Sequence, residues 1–268
     1  LLVGSISDKC KPISIFQPKW LSNKSLVVSE DSQGWWNLMI HDSRIDHRLE
    51  PIWSHRWTMD SETALPQWVY GLTTTAWTGK KLVANTCRNA IWQMELFALD
   101  GSVTQVDQPF DDLMGLDAYE DHVLAIASNA TTEPGLLEID LNDGSWIHST
   151  LREGVIDKSQ ISLPEPFWFK GFKGRRTHAW YYPPAQWDGS PAPLLVKIHS
   201  GPTGMASRGL NLGIQFWTSR GWGVVDVNYG GSTGFGRKYR ERLRGGWGEV
   251  DVFDCAAAAE ALVASGKA

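Results

Sequence analysis

Gly223-Val224-Val225-Asp226-Val227-Asn228-Tyr229-Gly230-Gly231-Ser232-Thr233-Gly234-Phe235-Gly236 is the stretch whose reading decides the fold class. Its valine-rich start, bounded by glycine, reads as a strand buried on both faces, as parallel sheets require. It runs into a glycine-rich loop at the carboxyl end of that strand, where open α/β sheets bind ligands. Upstream, Leu194-Leu195-Val196-Lys197-Ile198 is a second such strand. Between them Leu210, Ile214 and Trp217 fall at i, i+4 and i+7, a helical stripe closed by Gly221. Downstream, residues 249–265 read as the clearest helix, with Val252, Cys255, Ala256, Ala259, Leu262 and Val263 as its apolar face. Glu249, Asp251 and Asp254 stand at its N-terminal end, where the dipole favours anions, and Gly266 is placed to cap the other end. Residues 167–172 and 177–182 read as a hairpin joined at Lys173-Gly174. Strand, helix, strand, helix predicts a parallel sheet with right-handed crossovers.

The grammar before residue 150 is different. Short alternating apolar runs are separated by Gly, Asn and Asp, an all-β pattern. Three phrases repeat. Ser25-Leu26-Val27-Val28 leads to residues 35–40 and His41-Asp42; residues 81–84 lead to 91–96 and Asp100-Gly101; residues 122–125 lead to 136–139 and Asp143-Gly144. They recur at about 40 to 56 residues, the spacing of propeller blades. Such a blade cannot bury both faces alone and must stack on its neighbours. A β-sandwich is the alternative. The predicted layout is therefore residues 1–150 as C-terminal blades of a β-propeller, 151–166 as a linker ending in Pro164-Glu165-Pro166, and 167–268 as the N-terminal half of an α/β domain. The chain opens at Leu1 inside an apolar phrase and stops at Ala268 just after a helix, so we expect it to be part of a longer protein.

Composition narrows the function. A formal charge of −5 attracts neither nucleic acid nor an anionic membrane. No apolar run approaches the roughly 18 residues of a membrane span, and no signal peptide is visible. Cys10, Cys87 and Cys255 have no disulfide or metal spacing, which fits a reduced, cytoplasmic setting. His41, His47 and His55 are near in sequence but not at ligand spacings, so no metal and no cofactor is expected. Fifteen tryptophans point to packing between sheets. Arg237, Lys238, Arg240, Arg242 and Arg244 read as a solvated helix face, with a positive rim for peptide carboxylates as the alternative.

Gly230-Gly231-Ser232-Thr233-Gly234 matches the G-x-S-x-G of a nucleophile elbow. Three features argue against Ser232 as a nucleophile. The pattern arises easily by chance in a chain with 26 glycines. Phe235-Gly236 intervenes before a helix can begin, whereas an elbow runs straight into one. And Ser232 comes only one strand after His199-Ser200-Gly201-Pro202, where a hydrolase places its nucleophile two strands after the oxyanion loop. That His199–Pro202 segment follows a strand, and Gly201 would let a backbone N–H approach a developing oxyanion. A plain strand-to-helix turn is the competing reading.

Together, His199-Ser200-Gly201-Pro202-Thr203, residues 215–221 and 225–236, Tyr239-Arg240-Glu241, residues 244–248 and 251–255 closely resemble the prolyl oligopeptidase family, in its acylaminoacyl-peptidase and dipeptidyl-aminopeptidase branch. Residues 16–20 and 34–38 resemble its blades. The resemblance implies a β-propeller covering an α/β-hydrolase domain, and a Ser-Asp-His triad that cleaves short peptides through a seryl acyl-enzyme. In the family the serine lies on the strand after the helix at 249–265, so the triad residues are expected to be absent from this chain. What carries over is Gly201 as an oxyanion-hole N–H, with His199 beside it. Ser200 replaces the first glycine of the family's H-G-G-P, and Gly230 stands where many members have Arg. The resemblance implies an oligopeptide substrate and an inactive isolated fragment; a homo-oligomer is compatible with it. The rival readings are an esterase or acyl hydrolase on the same fold, and a non-catalytic propeller scaffold.

Overall fold

A computed structural model describes residues 13–42, 53–151, 154 and 156–268. Cys10 and His47, singled out above, lie outside the described residues, as does part of the predicted linker. Strands β1 (Ile15–Trp20), β2 (Ser25–Glu30), β3 (Asn37–Asp42) and β4 (Trp53–Ser54) form an antiparallel sheet in sequence order. So do β5 (Thr75–Trp77), β6 (Leu82–Arg88), β7 (Ile91–Phe97) and β8 (Val103–Gln105). The third such sheet is β9 (Asp112–Tyr119), β10 (His122–Asn129), β11 (Thr132–Asp140) and β12 (Trp146–Thr150).

Alternation along each strand decides which face is buried. On β10, Val123, Ala125 and Ala127 point inward while Ile126 is exposed; on β11, Leu137 and Ile139 are buried and Leu136 is exposed. The inward faces meet sheet against sheet. Val27, Leu38, Ile40 and Trp57 of the first sheet region pack on Leu82, Ala84 and Phe97 of the second. The other face of the second, with Val83 and Met94, packs on Leu113, Leu116, Val123 and Leu137 of the third. Each fully buried aliphatic side chain contributes roughly 1.5–3 kcal/mol, so a middle sheet covered on both faces gains most. Three stacked sheets are not the two-layer sandwich weighed above. Tryptophan fills these layers as expected at Trp36, Trp57 and Trp92, but Trp20, Trp68 and Trp146 are exposed.

The fourth sheet holds β13 (Glu165–Lys170), β14 (Arg176–Tyr182), β15 (Leu194–Ile198) and β16 (Gly223–Asn228) in the order β13-β14-β16-β15. Only β15 and β16 are parallel; β13–β14 is the expected hairpin, and β14–β16 is antiparallel. The sheet is therefore mixed rather than wholly parallel. β16 is buried throughout, as read from its valines. β15 is not: Val196 and Ile198 are exposed at the sheet edge.

Two helix faces differ from the sequence reading. α1 (Leu212–Thr218) starts two residues after Leu210, because the Asn211 side chain accepts from Ile214 N–H and caps it there. Its buried face is Ile214, Gln215 and Thr218, with Trp217 exposed. After the short α2 (Arg237–Arg240), α3 (Val250–Ala264) lies between Glu249 and Ser265 as expected, with Gly266 left-handed just beyond. It buries Val250, Asp254, Ala258 and Leu262, while Val252 and Val263 are exposed. The four alanines at 256–259 carry no directional signal, and an acidic residue sits on the inward face. Asp254 is not a helix-start charge. Its carboxylate accepts from Phe172 N–H at 2.6 Å and Gly230 N–H at 2.7 Å, binding α3 to the β13–β14 turn and to the loop after β16.

The basic run is likewise not a solvated face. Arg240 is buried, donates to Asp31 at 2.7 Å and Glu62 at 3.2 Å, and stacks on Trp36. Arg237 reaches Asp31 at 3.1 Å, and Gly236 N–H donates to Glu62. The start of α2 is thus fastened to the first sheet region, while Lys238 and Arg244 of this group are exposed.

Candidate active site

β15 and β16 run side by side with Ile198 opposite Val227. That register ends both strands together and lays the loop of residues 199–204 against the loop of residues 229–234. Neighbouring carboxyl ends of parallel strands make such a crevice by construction.

Gly201 is the tip of the first loop. Its φ is +76°, a left-handed conformation that suits glycine. A Cβ at this position would run into the Trp68 indole. The Gly201 N–H donates to no group among the described residues. The loop is held from the opposite side by Trp68, which lies between β4 and β5; its Nε1–H donates to Pro202 O at 2.8 Å and lies 3.1 Å from Thr203 Oγ1.

His199 lies beneath the loop. Its ring stacks on Tyr229 with centroids 4.3 Å apart and planes 15° apart. Its Nε2 is 2.8 Å from Ser232 Oγ, which is itself 2.9 Å from Tyr229 O. Burial draws the His199 imidazole down to about 4, so it is neutral at pH 7. Burial pushes the Tyr229 phenol up to about 12, so it remains a donor, within 3.3 Å of His199 O and Gly201 O.

Ser232 has no exposed surface. Its hydroxyl meets a histidine, yet no substrate carbonyl can reach it, and α2 begins only at Arg237. The sequence motif and the short Ser–His distance both suggest a nucleophile; burial excludes it. Gly230, where a larger side chain was weighed, is closed in by Val250 and Arg242 and donates its N–H to Asp254.

A cavity of about 410 Å³ opens beside the loop, between Trp36, Trp68, Pro202, Thr203, Arg240 and Trp247. His41 and His55 are drawn elsewhere: His41 packs against Trp53 with the rings tilted, and His55 pairs with Glu30 at 3.3 Å. Among the described residues no helix is long and apolar enough to cross a membrane. Tyr229 carries no role in the sequence reading although it directly follows the strand beside the one that precedes His199, which is a usable signal. Trp68 had none, being more than 130 residues away in the chain.

The model of the prolyl oligopeptidase family matches residues 209–268. A dipeptidyl-peptidase 4 of Giardia intestinalis is 30% identical over 142 residues, 51% of this chain and 18% of that protein. The uncharacterized peptidase YuxL of Bacillus subtilis is 25% identical over 151 residues, 56% of this chain and 23% of that one. Among solved structures, a puromycin-hydrolyzing peptidase of Mycobacterium tuberculosis is 33% identical with a TM-score of 0.86, covering 96% of this chain and 40% of the other. The chain thus spans about a fifth of these curated relatives and two fifths of that structure.

Proposed function

We propose that this chain, a member of the prolyl oligopeptidase family, supplies the oxyanion-binding wall of a serine peptidase centre that acts on short peptides. The observation that carries this is the left-handed Gly201 just after β15, whose N–H donates to no group among the described residues. In acyl transfer a serine oxygen attacks the scissile carbonyl, and the electron pair of the C=O bond passes to oxygen. A fixed N–H stabilises that oxyanion before it collapses to the seryl ester and expels the amine. Gly201 N–H takes this role, with His199 shaping the turn that presents it.

In this reading the nucleophile and its Asp and His partners belong to sequence outside these 268 residues. The isolated chain then hydrolyses nothing. The substrate is an oligopeptide cleaved in aminopeptidase or acylaminoacyl-peptidase fashion, and the protein is cytoplasmic. The stacked sheets of residues 13–150 act as propeller blades that limit access to small substrates.

The test is the full-length protein assayed on aminoacyl, dipeptidyl and N-acylaminoacyl p-nitroanilides beside p-nitrophenyl esters, with a fluorophosphonate label to locate the serine. Anilide cleavage with the label outside residues 1–268 is expected. Cleavage of esters alone would make it an acyl hydrolase. No turnover and no label would make it a scaffold.

A further inference from the structure

The glycine-rich segment after β16 is a motif that the proposed chemistry leaves without a task. We propose that Ser232 and Thr233 are positioning residues, a clasp that holds the 199–204 loop so that Gly201 N–H faces the reacting carbonyl. This rests on the oxyanion role proposed for Gly201.

Three contacts make the clasp. Ser232 Oγ meets His199 Nε2 at 2.8 Å, at the start of the loop. Thr233 Oγ1 donates to Thr203 O at 2.6 Å, and Thr233 N–H donates to Gly204 O at 3.0 Å, at its end. Both side chains belong to residues with no exposed surface, so they act on the loop and not on a ligand. The loop needs holding. Thr203 has φ +59°, unfavourable for a β-branched residue, beside Gly201 at +76°. Two adjacent residues in the buried loop after β16 oppose that strain.

Hydrogen-bond accounting sets the direction of the Ser232 contact. The hydroxyl has one proton. If it goes to Tyr229 O at 2.9 Å, His199 Nε2–H donates to Ser232 Oγ, and the Nδ1 lone pair faces the Tyr229 hydroxyl at 3.4 Å. If the proton goes instead to His199 Nε2, the 2.9 Å contact loses its bond and Nδ1–H is left two long contacts, to Ser200 O and to the Tyr229 hydroxyl oxygen, each at 3.4 Å. The first arrangement keeps both short contacts as hydrogen bonds. His199 is therefore the Nε2–H tautomer, and Ser232 accepts from it. A serine whose own proton is committed to a backbone carbonyl is braced rather than activated.

The experiment uses the full-length protein. Ser232→Ala and Thr233→Val should each lower kcat about 10- to 100-fold with KM within about twofold, short of the ~10²–10³ lost with an oxyanion donor itself. Thr233→Ser, which keeps the hydroxyl, should restore kcat to within about threefold. The ¹⁵N spectrum of His199, assigned by its loss in His199→Gln, should report a protonated Nε2 in the wild type. Folded Ser232→Ala and Thr233→Val proteins with wild-type kcat, or a wild-type His199 protonated on Nδ1, would overturn the clasp. If Ser232→Ala does not fold, the Thr233→Val and Thr233→Ser pair decides. A wild type that turns over no peptide or acyl substrate would sink the proposed function, and the His199 tautomer would then decide the clasp alone.

Discussion

The Arg240 guanidinium lies 2.7 Å from the Asp31 carboxylate, across 209 residues of chain. Both side chains are buried, and Glu62 completes the cluster at 3.2 Å. Removing one member of a buried ionic group strands the charges that remain. Arg240→Ala should therefore destabilise the protein by about 3–5 kcal/mol, read as a lower urea midpoint. Arg244→Ala, at an exposed position, should shift it by less than about 0.5 kcal/mol.

Asp254 gives a second stability test. Its carboxylate satisfies two backbone N–H groups from separate segments, Phe172 and Gly230. Asp254→Ala leaves both donors unpaired in the interior and should cost about 2–4 kcal/mol. Asp254→Asn keeps one acceptor oxygen and should cost less. Equal urea midpoints for wild type and Asp254→Ala would contradict the bracing role.

Trp68 tests the other side of the loop of residues 199–204. Trp68→Phe keeps an aromatic ring near Gly201 but removes the Nε1–H contacts with Pro202 O and Thr203 Oγ1. Stability should fall by about 1 kcal/mol or less, the ordinary net worth of a hydrogen bond. kcat of the full-length protein should fall about 3- to 10-fold, because the loop that carries the proposed oxyanion donor is less tightly oriented. Gly201→Ala should be more damaging than Trp68→Phe, since it adds a clash with the indole to a left-handed backbone.

Acid sensitivity should come from the buried His178 and the partly buried His199. Burial draws His178 down to about 3 and His199 down to about 4, both below the 6.5 of an unfolded histidine. Between those values the unfolded chain binds protons that the folded chain does not, so stability falls as pH falls. The loss should begin near pH 6.5 and level off below about 4 for His199 and about 3 for His178. His178→Gln should flatten the slope of urea midpoint against pH between 6.5 and 5. An unchanged slope would assign the acid sensitivity elsewhere.

The sequence was most legible where one local rule governs. The valines of 224–227 made a strand, Gly266 followed α3, and each repeated phrase of residues 25–140 became two neighbouring strands of one sheet. It misled where an inward position is polar or a surface position apolar. Asp254 was read as a helix-start charge because its partners, Phe172 and Gly230, are distant in sequence. Val252, Val263 and Trp217 read as core in the sequence because hydrophobicity marks tendency, not direction. Arg240 was read as solvated because nothing near it announces Asp31 or Glu62.

By itself the sequence determined the strand-rich first part, the α/β second part and the family phrases. These depend on short-range backbone preference and on side-chain periodicity, which are written within a few residues. Only the tertiary structure decided what Ser232 does. The same five residues that match a nucleophile elbow place its hydroxyl at zero exposure against His199. Whether a serine is a nucleophile or a brace depends on solvent access and on who takes its proton. Both are set by the packing of two loops 30 residues apart.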